Sequence, residues 1–264
     1  MIVRAIPTGW EVIYHHAHAL VAAQLAYHLA PAYRHPRWLE QIEAIAFHDD
    51  AQLPFKGRNY LNPNGTPLDF TQASVTLAQA LAVAEQAAFK SRRVGLLVSL
   101  HMSYLYEPVA KATKDKALAD FCKTQRKNQK AWMAQLGISP AQAEQEYAVL
   151  CWCDQTSLYL CQNQVPFGGL RVEIGQGPGG ENYFLSMGAP GQYYLDPWPF
   201  DQAQIELYCE VRALRQLTFD SSEELLAALQ KAPVQEQCWT LQPASAQPAD
   251  AGAASRARAA LAEA

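Results

Sequence analysis

Five side chains able to hold a divalent cation recur along the first two thirds of the chain. They are His18 in HHAHALV, the adjacent His48 and Asp49 in AIAFHDDAQ, His101 in VSLHMSY and Asp154 in CWCDQTS. Imidazole nitrogens and carboxylate oxygens together suit Fe, Mn or Zn, and Mg less well, because imidazole favours transition metals. One or two such ions would lower the pKa of a bound water and orient it for attack. Spacing by itself is weak evidence. His101 and Asp154 add weight because each falls on an apolar helical stripe, where an unpaired carboxylate is costly and a ligand role offsets that cost. Plainer readings exist for every residue. His101 can be a hydrogen-bonded boundary histidine, Asp154 a partner of Arg93 or of aromatic donors, His48-Asp49-Asp50 a helix end with a turn, and His18 a solvent-facing member of its histidine cluster. Four separate accidents weigh less than one site.

Helices must position these groups. After a hairpin over 2–4 and 11–14, turned at Pro7-Thr8-Gly9, HAHALVAAQLAYHLA reads as a helix. RWLEQIEAIAFHD follows, with Leu39, Ile42, Ile45 and Ala46 at helical spacing, which puts His48 and Asp49 at the end of its buried stripe. The long segment LPFKGRNYLNPNGTPLDF then reads as a loop, and loops of that length are uncommon unless functional. Two helices are expected near 71–90 and 91–106, the second with Val94, Leu97, His101 and Leu105 on its core stripe. A polar, basic helix stops at Gly137, and Ser139-Pro140 with Gln142 opens another by N-cap, first-turn proline and capping box. On that last helix Tyr147, Leu150, Asp154, Leu158 and Cys161 share a face, an acid within an apolar stripe.

Beyond residue 165 the pattern changes to period two, broken by Gly and Pro, which predicts a small antiparallel sheet. DSSEELLAAL reads as a short helix boxed by Ser221 and Glu224, and CWTLQP as a final edge strand. GQGPGG at 175–180 lacks the lysine and hydroxyl of a phosphate loop and reads as a hairpin turn. DPWPF at 196–200 reads as a clamp between sheet and helices. The basic run from Lys111 to Lys130 reads as a solvated face, and from Ala244 the composition predicts a disordered tail.

Half of the 264 residues are apolar or aromatic, enough for a substantial core. The six cysteines are scattered and predict free thiols in a reduced, cytoplasmic protein. No segment approaches the roughly 18 apolar residues of a membrane span. A formal net charge of −4 without a long basic block argues against nucleic acid as a partner.

The order H18…H48-D49…D154 resembles the HD domain superfamily of metal-dependent phosphohydrolases, whose pattern is H…HD…D on separate helices. Nearly the whole chain, from MIVR to WTLQP, also resembles a bacterial family with an opening-helix histidine, an HD pair, an SLH segment and DPWPF, to which no activity attaches. The resemblance implies a mainly α, HD-domain-like helical bundle over 1–165 with a small antiparallel β subdomain over 166–243, α+β overall, and a tail over 244–264. It implies His18, His48, Asp49 and Asp154 as metal ligands, His101 as a ligand of a second ion or a donor to phosphate, and Asp49 as the residue that orients the nucleophile. The glycine and lysine of HDxGK are absent, since Asp50, Ala51 and Gln52 stand there, which disfavours cyclic dinucleotide hydrolysis. Lys56 and Arg58 are phosphate clamps by position, or ordinary loop charges. The expected partner is a nucleotide or other small phosphorylated molecule, with a homo-oligomer left open. Two alternatives stand beside hydrolysis: a di-iron oxygenase of the same superfamily, and a non-catalytic binding or regulatory protein.

Overall fold

A computed structural model describes residues 1–49, 59–73 and 76–247. The elements follow in chain order. β1 (Ile2–Ile6) and β2 (Gly9–Ile13) form the opening hairpin, followed by α1 (His15–His28) and α2 (Trp38–Phe47). Four helices come next: α3 (Leu77–Lys90), α4 (Arg92–Thr113), α5 (Lys116–Leu136) and α6 (Pro140–Cys161). The C-terminal part holds β3 (Arg171–Gln176), β4 (Asn182–Met187), β5 (Gln192–Asp196), β6 (Ile205–Leu214), α7 (Ser222–Lys231) and β7 (Val234–Pro243). The fold is therefore mainly helical with a largely antiparallel sheet, α+β overall.

Local chemistry sets the helix boundaries. Ser139 Oγ accepts from Gln142 N–H and Pro140 follows at the first helical position, so α6 starts where one orphan amide is capped and another donor is missing. Ser91 and Asp115 cap α4 and α5 in the same way. Gly137 ends α5 at φ 65°, the left-handed turn that glycine adopts without steric cost. Ser221 accepts from Glu224 N–H at α7 while Glu224 reaches back to Asp220 N–H.

The sheet corrects two readings. It has seven strands in the order β1-β2-β6-β7-β5-β4-β3, so the opening hairpin forms one edge of it through β2 against β6. The last strand is not an edge. β7 lies between β6, to which it is antiparallel, and β5, to which it is parallel. GQGPGG does turn the chain between β3 and β4, and DPWPF does join sheet to helices: Ala30 N–H donates to Pro199 O at 2.9 Å and the Phe200 ring packs 6.2 Å from that of Trp152. The basic run on α5 faces solvent, and all six cysteines are free. The expected tail over 244–264 begins with a short turn at Ala244–Ala246, and its residues 248–264 lie outside the described ones.

α1 and α6 form the middle layer. α1 packs against β6 on one side and against α2 and α6, while α6 also meets β3; α4 crosses α2 and α6 and carries α3 and α5 outside it. Leu39, expected in the core, is 79% exposed. At about 100° per residue it falls opposite Gln41 and Ala44, through which α2 is buried. Leu105 is 37% exposed because it lies on the wall of a cleft. A second, smaller core joins Val12, Leu214, Phe219 and Leu225 to Tyr60 and Leu61. Tyr60 N–H donates to Ser222 Oγ, Val3 N–H to Asp69 Oδ2 and Phe70 N–H to Met1 O, which fastens residues 59–73 over the open end of the helices.

Trp152 is the largest fully buried side chain of the middle layer, and Gly177 covers it. A Cβ at Gly177 would stand 2.6 Å from Trp152 Cγ and 3.0 Å from a ring carbon of Tyr183. Gly177→Ala is therefore expected to cost about 1–3 kcal/mol through overpacking, seen as a lower urea midpoint with an unchanged slope. An unchanged midpoint would show that the indole moves aside without loss.

Candidate metal centre

Three helices converge at one point. α1 supplies His18, the end of α2 supplies His48 and Asp49, and the middle of α6 supplies Asp154. One ligand atom from each of these four lies within 4.8 Å of the others. His18 and His48 are fully buried and Asp154 nearly so, while Asp49 is partly open to the cleft.

Each imidazole is oriented from behind. His48 Nδ1–H donates to Ile45 O at 2.6 Å, within its own helix turn, so Nε2 points to Asp154 Oδ1 at 3.2 Å and Asp49 Oδ2 at 3.4 Å. His18 Nδ1–H donates to Ser157 Oγ at 3.1 Å, and the serine sends its own proton to Asp154 O at 2.8 Å. That leaves His18 Nε2 facing Asp49 Oδ2 at 3.1 Å. Two Nε2 atoms thus converge on two carboxylates, with both Nδ1 atoms held by outer partners. Metal-binding histidines are held in this way, because the outer bond fixes the tautomer that presents a lone pair inward.

Charge is concentrated here. Burial works to lower the His48 pKa, but Asp49 and Asp154 outweigh it and push it up to about 9. Burial works to raise both carboxyls, yet His48 above all holds them below the ordinary aspartate value, Asp49 well below it. An imidazolium between two carboxylates occupies the same electrostatic position that a cation would.

Two more histidines border the four. His101, on α4, lies with its ring 5.0 Å from that of His48 and nearly perpendicular to it. Its Nδ1 is 3.4 Å from Tyr147 Oη, and burial lowers its pKa to about 4, helped by His48, so this ring is neutral. His15, on α1, was not singled out in sequence. Its Nε2 stands 3.2 Å from Asp49 Oδ2 and neither ring nitrogen makes a hydrogen bond among the described residues. Burial holds its pKa well below the ordinary value. The signal was present, since His15 and His18 are three residues apart and a helix puts such residues on one face.

Several open readings close. Asp154 does not pair with Arg93, which is bound to Glu146 and approaches Glu40 at 3.6 Å. His18 does not face solvent. Lys56 and Arg58 lie outside the described residues. A cleft of about 420 Å³ opens beside the cluster, with His15, Asp49, His101 and Asp154 at its base and Tyr60, Phe70, Tyr104 and Leu158 on its walls. The donor set, its burial and its outer hydrogen bonds fit a divalent ion, and the number of imidazoles favours a transition metal over Mg.

No curated protein and no solved structure matches the chain. A family model matches residues 1–216, which span the chain from β1 to β6 and include His15, His18, His48, Asp49, His101 and Asp154. On that match the chain belongs to the family described as protein of unknown function DUF3891.

Proposed function

We propose that the chain is a metal-dependent phosphohydrolase of the HD type, acting on a nucleotide or another small phosphoester. The observation that carries this reading is the convergence of His18 and His48 Nε2 on Asp49 and Asp154, each ring fixed by an outer hydrogen bond. The order of these residues along the chain is that of the H…HD…D pattern. A divalent ion bound there supplies charge neutralisation at a phosphoryl oxygen and water of lowered pKa.

The remaining work falls to the chain. His18, His48, Asp49 and Asp154 hold the ion. Asp49, the member of the set that opens on the cleft, would align the attacking water, whose pKa the ion lowers. His101, kept neutral by burial, donates to a phosphoryl oxygen. Tyr60, Phe70 and Tyr104 shut bulk water from one side of the cleft and give the organic part of the substrate an aromatic wall. Lys56 and Arg58 are candidates for the phosphate itself.

One observation favours a second reading. His15 and His101 add two imidazoles to the same cleft, a nitrogen-rich surround that suits two irons and oxidative chemistry.

Elemental analysis decides the first step. Protein purified in the presence of Mn, Fe and Zn is expected to carry stoichiometric metal, lost in His48→Ala and Asp154→Ala. A folded wild type that takes up no metal after reconstitution sinks both catalytic readings and leaves a binding role. Iron with substrate-dependent oxygen uptake would select the oxidative reading, and phosphate release under anaerobic conditions the hydrolytic one. Ser157→Ala keeps every ligand but frees the His18 ring, so metal affinity is expected to fall about 10–100-fold.

The pH dependence follows from His48. Its pKa in the folded metal-free protein, about 9, exceeds the ordinary 6.5. Its contribution to stability is therefore complete below 6.5 and is lost as pH rises through 9. In chelator, Tm is expected to decline across that interval, and His48→Gln to remove this part of the decline. Metal uptake should strengthen over the same interval, because the proton must leave His48 first.

A further inference from the structure

A groove at the other end of the α2–α6 contact from the metal centre contains polar atoms whose hydrogen bonds are unmade among the described residues. It encloses about 680 Å³ between the start of α2, the first turns of α6 and the glycine-rich turn Gly177–Gly180. Gln41 is fully buried and reaches it from α2. Its Nε2 donates to Glu146 O at 2.9 Å, which fixes the amide orientation and leaves Oε1 as an acceptor with no donor. His35 approaches from the turn before α2. Its Nδ1 accepts from Arg37 N–H at 3.1 Å, so the neutral ring carries its proton on Nε2, which is buried without an acceptor.

Between these two atoms in sequence stands Trp38. Its indole is anchored by Nε1–H to Ala26 O at 3.3 Å, and the His35 ring meets it edge-on at 5.6 Å. Donor, ring and acceptor follow at three-residue spacing, and all three line the groove. Tyr33 provides a second aromatic surface, seated against Gly179, where a Cβ would come within 3.1 Å of the ring. Among the described residues no lysine or arginine lines the groove, while Glu144 and Glu146 do. A phosphate would find no cation there.

We infer that this groove is a binding site for an uncharged planar heterocycle bearing an amide edge, of the kind found in a nucleobase or nicotinamide. Its carbonyl accepts from His35 Nε2–H, its N–H donates to Gln41 Oε1, and its ring lies on Trp38. The inference does not rest on the metal reading, since none of these residues belongs to the metal centre.

The test is a ¹H–¹⁵N titration of the full chain with guanosine, uridine and nicotinamide, following the indole N–H of Trp38 assigned by its loss in Trp38→Phe. At least one probe is expected to give a saturable shift of that signal, weakened tenfold or more in Gln41→Leu. Because Gln41 also ties α2 to α6, His35→Phe serves as the second variant. It keeps the ring, removes the donor at a partly exposed position, and is expected to weaken binding to a similar degree. Three results would overturn the inference: no shift with any of the three probes, undiminished binding in His35→Phe, or tighter binding of guanosine 5′-monophosphate than of guanosine.

Discussion

Two aspartates from different helices share one buried space, and the packing of the helical half answers to that fact. Like charges a few ångströms apart in a low-dielectric interior cannot both remain ionised without a cation between them. Here the cation in the metal-free chain is the His48 imidazolium, 3.2 Å from Asp154 and 3.4 Å from Asp49. The arrangement requires α1, α2 and α6 to meet within a few ångströms at one level, and the alanines along α1 allow it: Ala19, Ala22 and Ala26 are fully buried. Small side chains on the central helix let its neighbours approach closely enough for imidazole and carboxylate to touch.

α6 carries two buried acids, and their surroundings differ in kind. Glu146 meets Arg93, whose charge is permanent, and is thereby committed to structure. Among the described residues Asp154 pairs with imidazoles, whose proton can be exchanged for a metal ion. The same helix therefore holds one fixed ion pair and one replaceable one. α6 is also buried on nearly every side, since Trp152 faces the sheet, Asp154 the centre and Val149 the groove. Its apolar residues therefore do not fall into one clean stripe, and the acid at Asp154 stands out against a helix with few solvated positions.

Much of this was legible in the residues. The caps at Ser139 and Ser221, the stop at Gly137 and the helical spacing around His101 and Asp154 are local signals that the fold obeys. His48-Asp49 was legible because an adjacent pair at the end of an apolar stripe has few other uses. What the residues do not encode locally was missed. Strand alternation marks β7 as a strand but is silent on its neighbours, so its central place between β5 and β6 appears only in the folded sheet. The pairing of β2 with β6 joins segments from opposite ends of the chain and leaves no mark in either. Leu39 fits an apolar repeat as well as Ile42 does, yet the rotation of α2 about its axis is decided mainly by its packing on α1 and α4, and it turns Leu39 outward. His15 shares the helix face of His18 one turn away, but among three clustered histidines that spacing stands out only once His18 is known to face Asp49.

The separation of α2 from α6 is fixed by ties at both ends of their contact. One is Gln41 Nε2 to Glu146 O, the other His48 Nε2 to Asp154 Oδ1, and the residues on each helix are seven or eight positions apart, about two turns. Helices packed at interior density do not bend independently over two turns, so both ties report on one interhelical distance. The groove at Gln41 and the centre at His48 are then two ends of a single rigid pair.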